Sequence, residues 1–205
     1  MAKTGKVVQL FQKPDNFIRS RARQLPLGKC YISHDWEKSG IANVLVSRAH
    51  INGNFTVGIY LIDLRCLGVK DSAFKFNIPL EEFEYLVSHM QGEEIGYTKA
   101  HNIIYGAEAF AESCGFKPHK DWGVGQFILE EDDDLIPIID IKFGEDGIPA
   151  YYAGPNDTPT KINQILATLD KNVGIGNYFF YKDQVEDDDL FLDNEFDDTT
   201  DTGDI

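Results

Sequence analysis

The sequence predicts an α+β fold: a mixed, mainly antiparallel sheet built from hairpins, with three or four helices, followed by a disordered acidic C-terminal tail. Three observations carry this. Short stretches alternate in polarity or run apolar between Gly and Asn turns, the pattern of strands and hairpins. Helical periodicity is gathered into separate segments rather than alternating regularly with strands, as parallel βαβ units would require. Residues 183–205 hold eleven Asp and Glu and no Lys or Arg, so they bury too little apolar surface to offset ordering entropy and self-repulsion. The expected division is a flexible basic N-terminal arm at 1–13, a single domain at 14–182, and the tail at 183–205.

Taken in order, Asp15 reads as the cap of a short basic helix, NFIRSRARQL, stopped before Pro26 and Gly28. Phe17, Ile18, Ala22 and Leu25 form its apolar face, and Arg19, Arg21 and Arg23 spread around the rest. IANVLVSRA (41–49) and FTVGIYLIDLRCL (55–67) flank Asn52, Gly53 and Asn54, which tolerate positive φ, and so form a hairpin. The second arm is nearly all apolar and belongs at the centre of the sheet. AFKFNI (73–78) gives a third strand after an LGVKD turn. Pro79 opens the helix LEEFEYLVSHM, whose first turn carries acids where the helix dipole favours them.

The clearest helix runs from about Thr98 to Cys114, where Ile103, Ile104, Ala107, Ala111 and Cys114 share one face. Gly115 closes it as a left-handed cap, with Phe116 in contact and Pro118 blocking continuation. Glu130 to Asp134 form a solvated loop. LIPIIDIKF, the turn Gly144–Gly147 and IPAYYAG read as a second hairpin. Thr158 and Pro159 cap and open the helix TPTKINQILATLDKNVG, and NYFFYK supplies a last strand. The chain shows no repeat of solenoid length.

Composition narrows the function classes. An apolar content of 42% supports a real core. The apolar runs fall far short of the roughly 18 residues that cross a bilayer, and Val7 to Phe11 is too short for a signal peptide. Cys30, Cys66 and Cys114 are odd in number and lack a CxxC pair, which fits reduced thiols in the cytoplasm; the N-x-[ST] triplets at Asn54 and Asn156 are then chance matches. A net charge of −15 argues against nucleic acid. The charge is uneven: residues 1–30 carry seven Lys and Arg against one acid.

Three segments stand out: YLIDLRCLGVKD (60–71), AHNIIYGAEAFAESCGFKPHKDW (100–122) and FGEDGIPAYYAGPNDTP (143–159). In these the chain resembles a family of bacterial proteins with no assigned activity. That family carries a strand ending in D-x-x-CLG-x-K, a helix running into GF-x-PH-x-D, and a later F-G-x-x-G-x-P-x-Y-x-x-GP-x-D-x-P segment. The resemblance covers about residues 25–181 and implies a shared fold. It implies no activity, cofactor or partner.

Two functional expectations follow from the residues. The favoured one is a non-catalytic cytoplasmic binding or regulatory protein. Its acidic tail, with Leu190, Phe191, Leu192 and Phe196 as apolar anchors, would seat in a basic groove of a protein partner, and Arg19, Arg21 and Arg23 would give a second contact surface. The alternative is a cysteine-dependent hydrolase or transferase, in which His119, oriented by Asp121, would activate Cys66. Asp63, Cys66 and Lys70 lie at or after a strand end, where scaffolds display functional groups. No metal site is expected, because His34, His50, His89, His101 and His119 are scattered singly. No cofactor is expected either, since GVGQ (123–126) and GIGN (174–177) lack the strand-then-helix setting of a phosphate loop.

Overall fold

The computed structural model describes residues 13–182. Leu190, Phe191, Leu192 and Phe196 lie outside them, as does nearly all of the N-terminal arm. The fold is α+β, with the hairpin-built sheet the sequence predicts. In chain order the elements are α1 (Pro14–Arg21), β1 (Leu27–Ser33), α2 (Trp36–Ser39), β2 (Ile41–Ala49), β3 (Phe55–Asp63), β4 (Gly68–Ile78), α3 (Leu80–His89), β5 (Gly92–Ile95), α4 (Tyr97–Ser113), α5 (Trp122–Gly125), β6 (Ala150–Ala153), α6 (Pro159–Asn172) and β7 (Phe179–Lys182).

Five strands form one antiparallel sheet in the order β4-β3-β2-β1-β5. The β2–β3 hairpin keeps an unbroken register from Ile41 opposite Asp63 to Ala49 opposite Phe55. Because side chains alternate across a strand, β2 serves two cores. Val44 and Val46 pack with Ile103, Ile104 and Ala107 of α4 and with Ile18 of α1, whereas Leu45 faces Phe83 of α3. A third cluster joins Cys66, Cys114, Tyr151 and Leu169 beside the second sheet.

Several local expectations are corrected. Asp15 is not a cap: Pro14 occupies the first turn and Lys13 the cap position. β1 and β5 were not foreseen. β5 reads Gly-Glu-Glu-Ile and offers little apolar signal; as an edge strand it gains cross-strand ion pairs, Lys29–Glu94 at 2.7 Å and His34–Glu93 at 2.6 Å. The LGVKD segment is not a turn throughout, for β4 already begins at Gly68.

The second hairpin shrinks to its turn: Glu145 and Ile148 exchange backbone hydrogen bonds at 2.8 and 2.9 Å, but the arms beyond them do not pair. Residues 137–143 pass beside α4 without strand pairing, and there the Asn102 amide replaces a strand partner by donating to Pro137 O at 3.0 Å and accepting from Ile139 N at 3.1 Å. β6 pairs instead with β7, and in parallel. Glu130, expected in a solvated loop, forms a 2.8 Å ion pair with the buried Arg48. Among the described residues no helix is long and apolar enough to cross a membrane.

Candidate functional site

The segment after α4 brings two of the sequence's three conspicuous blocks together. α4 ends on the expected cap: Gly115 has φ +87° and Phe116 N donates to Ala111 O at 2.9 Å. At the start of β4, Gly68 (φ +65°) lies against α4, where an added Cβ would meet the Ala111 Cβ at 2.6 Å and the Ala107 carbonyl at 2.8 Å. Strand and helix therefore approach more closely there than a side chain allows. His119 then crosses to β4, and its N–H donates to Val69 O at 2.9 Å.

Beyond it the backbone turns into α5, with Trp122 N donating to His119 O at 2.9 Å and Gly125 N to Asp121 O at 3.0 Å. Trp122 is buried and anchors this turn by donating from Nε1 to Glu108 at 2.6 Å and packing edge-on against Tyr60 and Tyr105. The backbones of the strand and the turn are thus both held from inside.

This scaffold places three side chains in one spot. His119 Nδ1 lies 3.3 Å from Asp71 Oδ1 and 3.7 Å from Asp121 Oδ2, and all three donor atoms fall within 4.8 Å of one another. Asp71 Oδ1 is further oriented by the N–H of Ser72 at 2.8 Å. The imidazole is about one-third exposed and the carboxylates more so. Among the described residues neither Asp71 nor Asp121 pairs with a Lys or Arg. Two carboxylates therefore converge on a single imidazole nitrogen, which also accepts the Asp121 N–H at a long 3.5 Å.

Cys66 does not join them. It is fully buried in the apolar cluster with Cys114, Tyr151 and Leu169, and no hydrogen bond links it to His119 among the described residues. Burial pushes its thiol pKa well up, and the negative Asp63 pushes the same way, so a thiolate is disfavoured. Its backbone N–H is used by Asp63, whose Oδ1 also takes the N–H of Arg65, closing the turn after β3.

The basic helix also turns inward. Arg19 donates to Gly123 O at 2.5 Å. Arg23 donates to Leu129 O at 2.7 Å and pairs with Glu131 at 2.6 Å. Both guanidinium groups lie over Phe127. These contacts hold α1 to the segment around α5, and Arg21 is the one left pointing to solvent.

The residue missed from sequence is Asp71. It was present in the first block, but reading LGVKD as a turn hid its place on a strand opposite His119. No protein-family model, curated protein or solved structure matches the chain.

Proposed function

We propose that the chain is a cytoplasmic metal-binding protein, holding a divalent cation through Asp71, His119 and Asp121. The observation that carries this is the convergence of one imidazole nitrogen and two carboxylate oxygens within 4.8 Å, with no basic side chain paired to either acid among the described residues. Metal–ligand bonds of about 2.1 Å set neighbouring donors about 3.0–3.4 Å apart, depending on geometry. The separations of 3.3 and 3.7 Å are close to that, and exposed carboxylates can close the rest by rotation. One nitrogen and two oxygens, with no sulfur, suit zinc, manganese or ferrous iron rather than a soft cation. Three protein ligands leave a position open for water.

The cytoplasmic placement rests on three free, buried cysteines. Calorimetric titration of ZnCl2 into the full chain tests the metal reading. One saturable site is expected, and His119→Gln should abolish it. Identical isotherms for the two proteins would overturn it.

A second reading, recognition of a basic groove in a protein partner through the acidic tail, is supported by eleven acids interspersed with Leu190, Phe191, Leu192 and Phe196. Deleting residues 183–205 should then change the set of proteins captured in a pull-down. An unchanged set would sink the tail reading and leave the metal reading untouched.

A further inference from the structure

A cleft of about 480 Å³ opens where the five-stranded sheet meets the two-stranded one. That volume is within the range of small-ligand pockets. Asp63 ends β3 there, paired with Ile41 at the start of β2, and Lys70 comes from β4. Tyr152 comes from β6, Lys182 from β7, and Arg65 from the turn between β3 and β4. This turn is stitched to the neighbouring segment, since Leu64 O accepts Gly144 N at 2.9 Å and Arg65 O accepts Ala150 N at 3.0 Å. The walls are therefore preformed.

The lining reverses the sign of the chain. Arg65, Lys70 and Lys182 face a single carboxylate, Asp63, in a protein of net charge −15. Two of these groups have structural work that accounts for them. Asp63 Oδ1 accepts two backbone N–H groups, at 2.9 and 3.0 Å. Arg65 is clamped, with Nη2 donating to Lys38 O at 2.7 Å, Cζ 4.2 Å from the centre of the Tyr152 ring, and Nη1 3.6 Å from Glu145.

Glu145 stands outside this lining and accepts the hydroxyls of Tyr152 and Tyr181, so its charge is spent on Arg65 and the two phenols. The lysines are less firmly held, although the Lys70 charge partly offsets the burial of the Asp63 carboxylate. Lys70 Nζ is 3.9 Å from Asp63 Oδ2, the outer limit of an ion pair, and Lys182 forms no ion pair among the described residues. Two loosely engaged ammonium groups beside a fixed guanidinium and an aromatic wall make a site for an anion with a carbon body.

We infer that this cleft binds a small organic anion, with its carboxylate or phosphate between Lys70 and Lys182 beside Arg65, and its carbon portion against Ile41 and the edges of the stacked Tyr152 and Tyr181 rings. The site shares no residue with the Asp71–His119–Asp121 centre, and its test does not depend on metal. Calorimetry on the full chain at constant ionic strength, with succinate in one arm and inorganic phosphate in the other, decides it. At least one anion should saturate a single site, and the arm that does so assigns the charged group.

Lys70→Gln and Lys182→Gln should each weaken that binding by about tenfold, while the exposed Lys117→Gln leaves it unchanged. Both substitutions replace partly exposed side chains, and an unchanged circular dichroism spectrum confirms the fold. The inference is overturned if neither anion binds the native chain, or if both lysine variants bind as tightly as it does.

Discussion

Replacing Asp157 by Asn should destabilise the protein by an amount that shrinks as the solution is acidified. Asp157 sits between β6 and α6, where one carboxylate oxygen accepts the Tyr151 hydroxyl at 2.8 Å and the Gly154 N–H at 2.9 Å. The other oxygen forms a 2.6 Å ion pair with Lys161, one helical turn on. Burial alone would raise its pKa, but Lys161, the Gly154 N–H and Tyr151 together outweigh that and hold it at about 2, below the ordinary 3.8.

A carboxylate whose pKa is depressed on folding contributes stability above its unfolded pKa, and loses it as pH falls through the folded one. The shift corresponds to about 2 kcal/mol at pH 7, about 1 kcal/mol at pH 3 and well under 1 kcal/mol at pH 2. The Asp157 side chain is only 8% exposed, so little of this is lost to solvent screening at the carboxylate itself. Urea denaturation of native and Asp157→Asn chains, followed by tryptophan fluorescence, measures the gap at each pH. A gap that is the same at pH 7 and pH 3 would refute the reasoning, because the substitution would then act through shape rather than charge.

Two further outcomes follow from burial. Iodoacetamide should leave Cys30, Cys66 and Cys114 unmodified in the native protein and label all three in urea, since each is at most 1% exposed; rapid native labelling of Cys66 would revive a nucleophilic role. Arg48→Ala should cost about 3–5 kcal/mol, because the guanidinium is 1% exposed and donates to Ile128 O and Leu25 O while pairing with Glu130. Glu130→Gln should cost far less, as its side chain is 36% exposed and water can take its place. Chemical denaturation of the two variants checks that order, and equal costs would contradict it.

What the sequence disclosed depended on where the stabilising interactions come from. α4 was legible because Ile103, Ile104, Ala107 and Ala111 repeat at helical spacing and all four are buried. The β2–β3 hairpin was legible because its turn residues and apolar arms are local. β5 was not, because its place is secured by backbone pairing with β1, about sixty residues away in sequence. Residues 135–143 misled for the opposite reason: Ile136, Ile138, Ile139 and Ile141 look like a strand, yet Asn102 supplies the pairing that a second strand would have given.

The site shows the same limit. His119 and Asp121 are two residues apart and could be read as a pair. Their third member, Asp71, reaches them only because the close approach of Gly68 to α4 and the His119–Val69 hydrogen bond bring strand and loop together. Cys66 stood out as a candidate by type, and only its packing against Cys114, Tyr151 and Leu169 shows a side chain serving the core.

In the proposed centre, His119 Nδ1 coordinates a metal together with Asp71 and Asp121. The most direct measurement is a ZnCl2 titration of full-length protein carrying ¹⁵N-labelled histidine, read at the ring nitrogens. The His119 ring signals should shift on the first equivalent, led by Nδ1, while the rings of His34, His50, His89 and His101 stay in place, and Asp71→Asn should raise the zinc needed by about tenfold. An unmoved His119 signal in excess zinc, or an Asp71→Asn titration that overlays the native one, would contradict it.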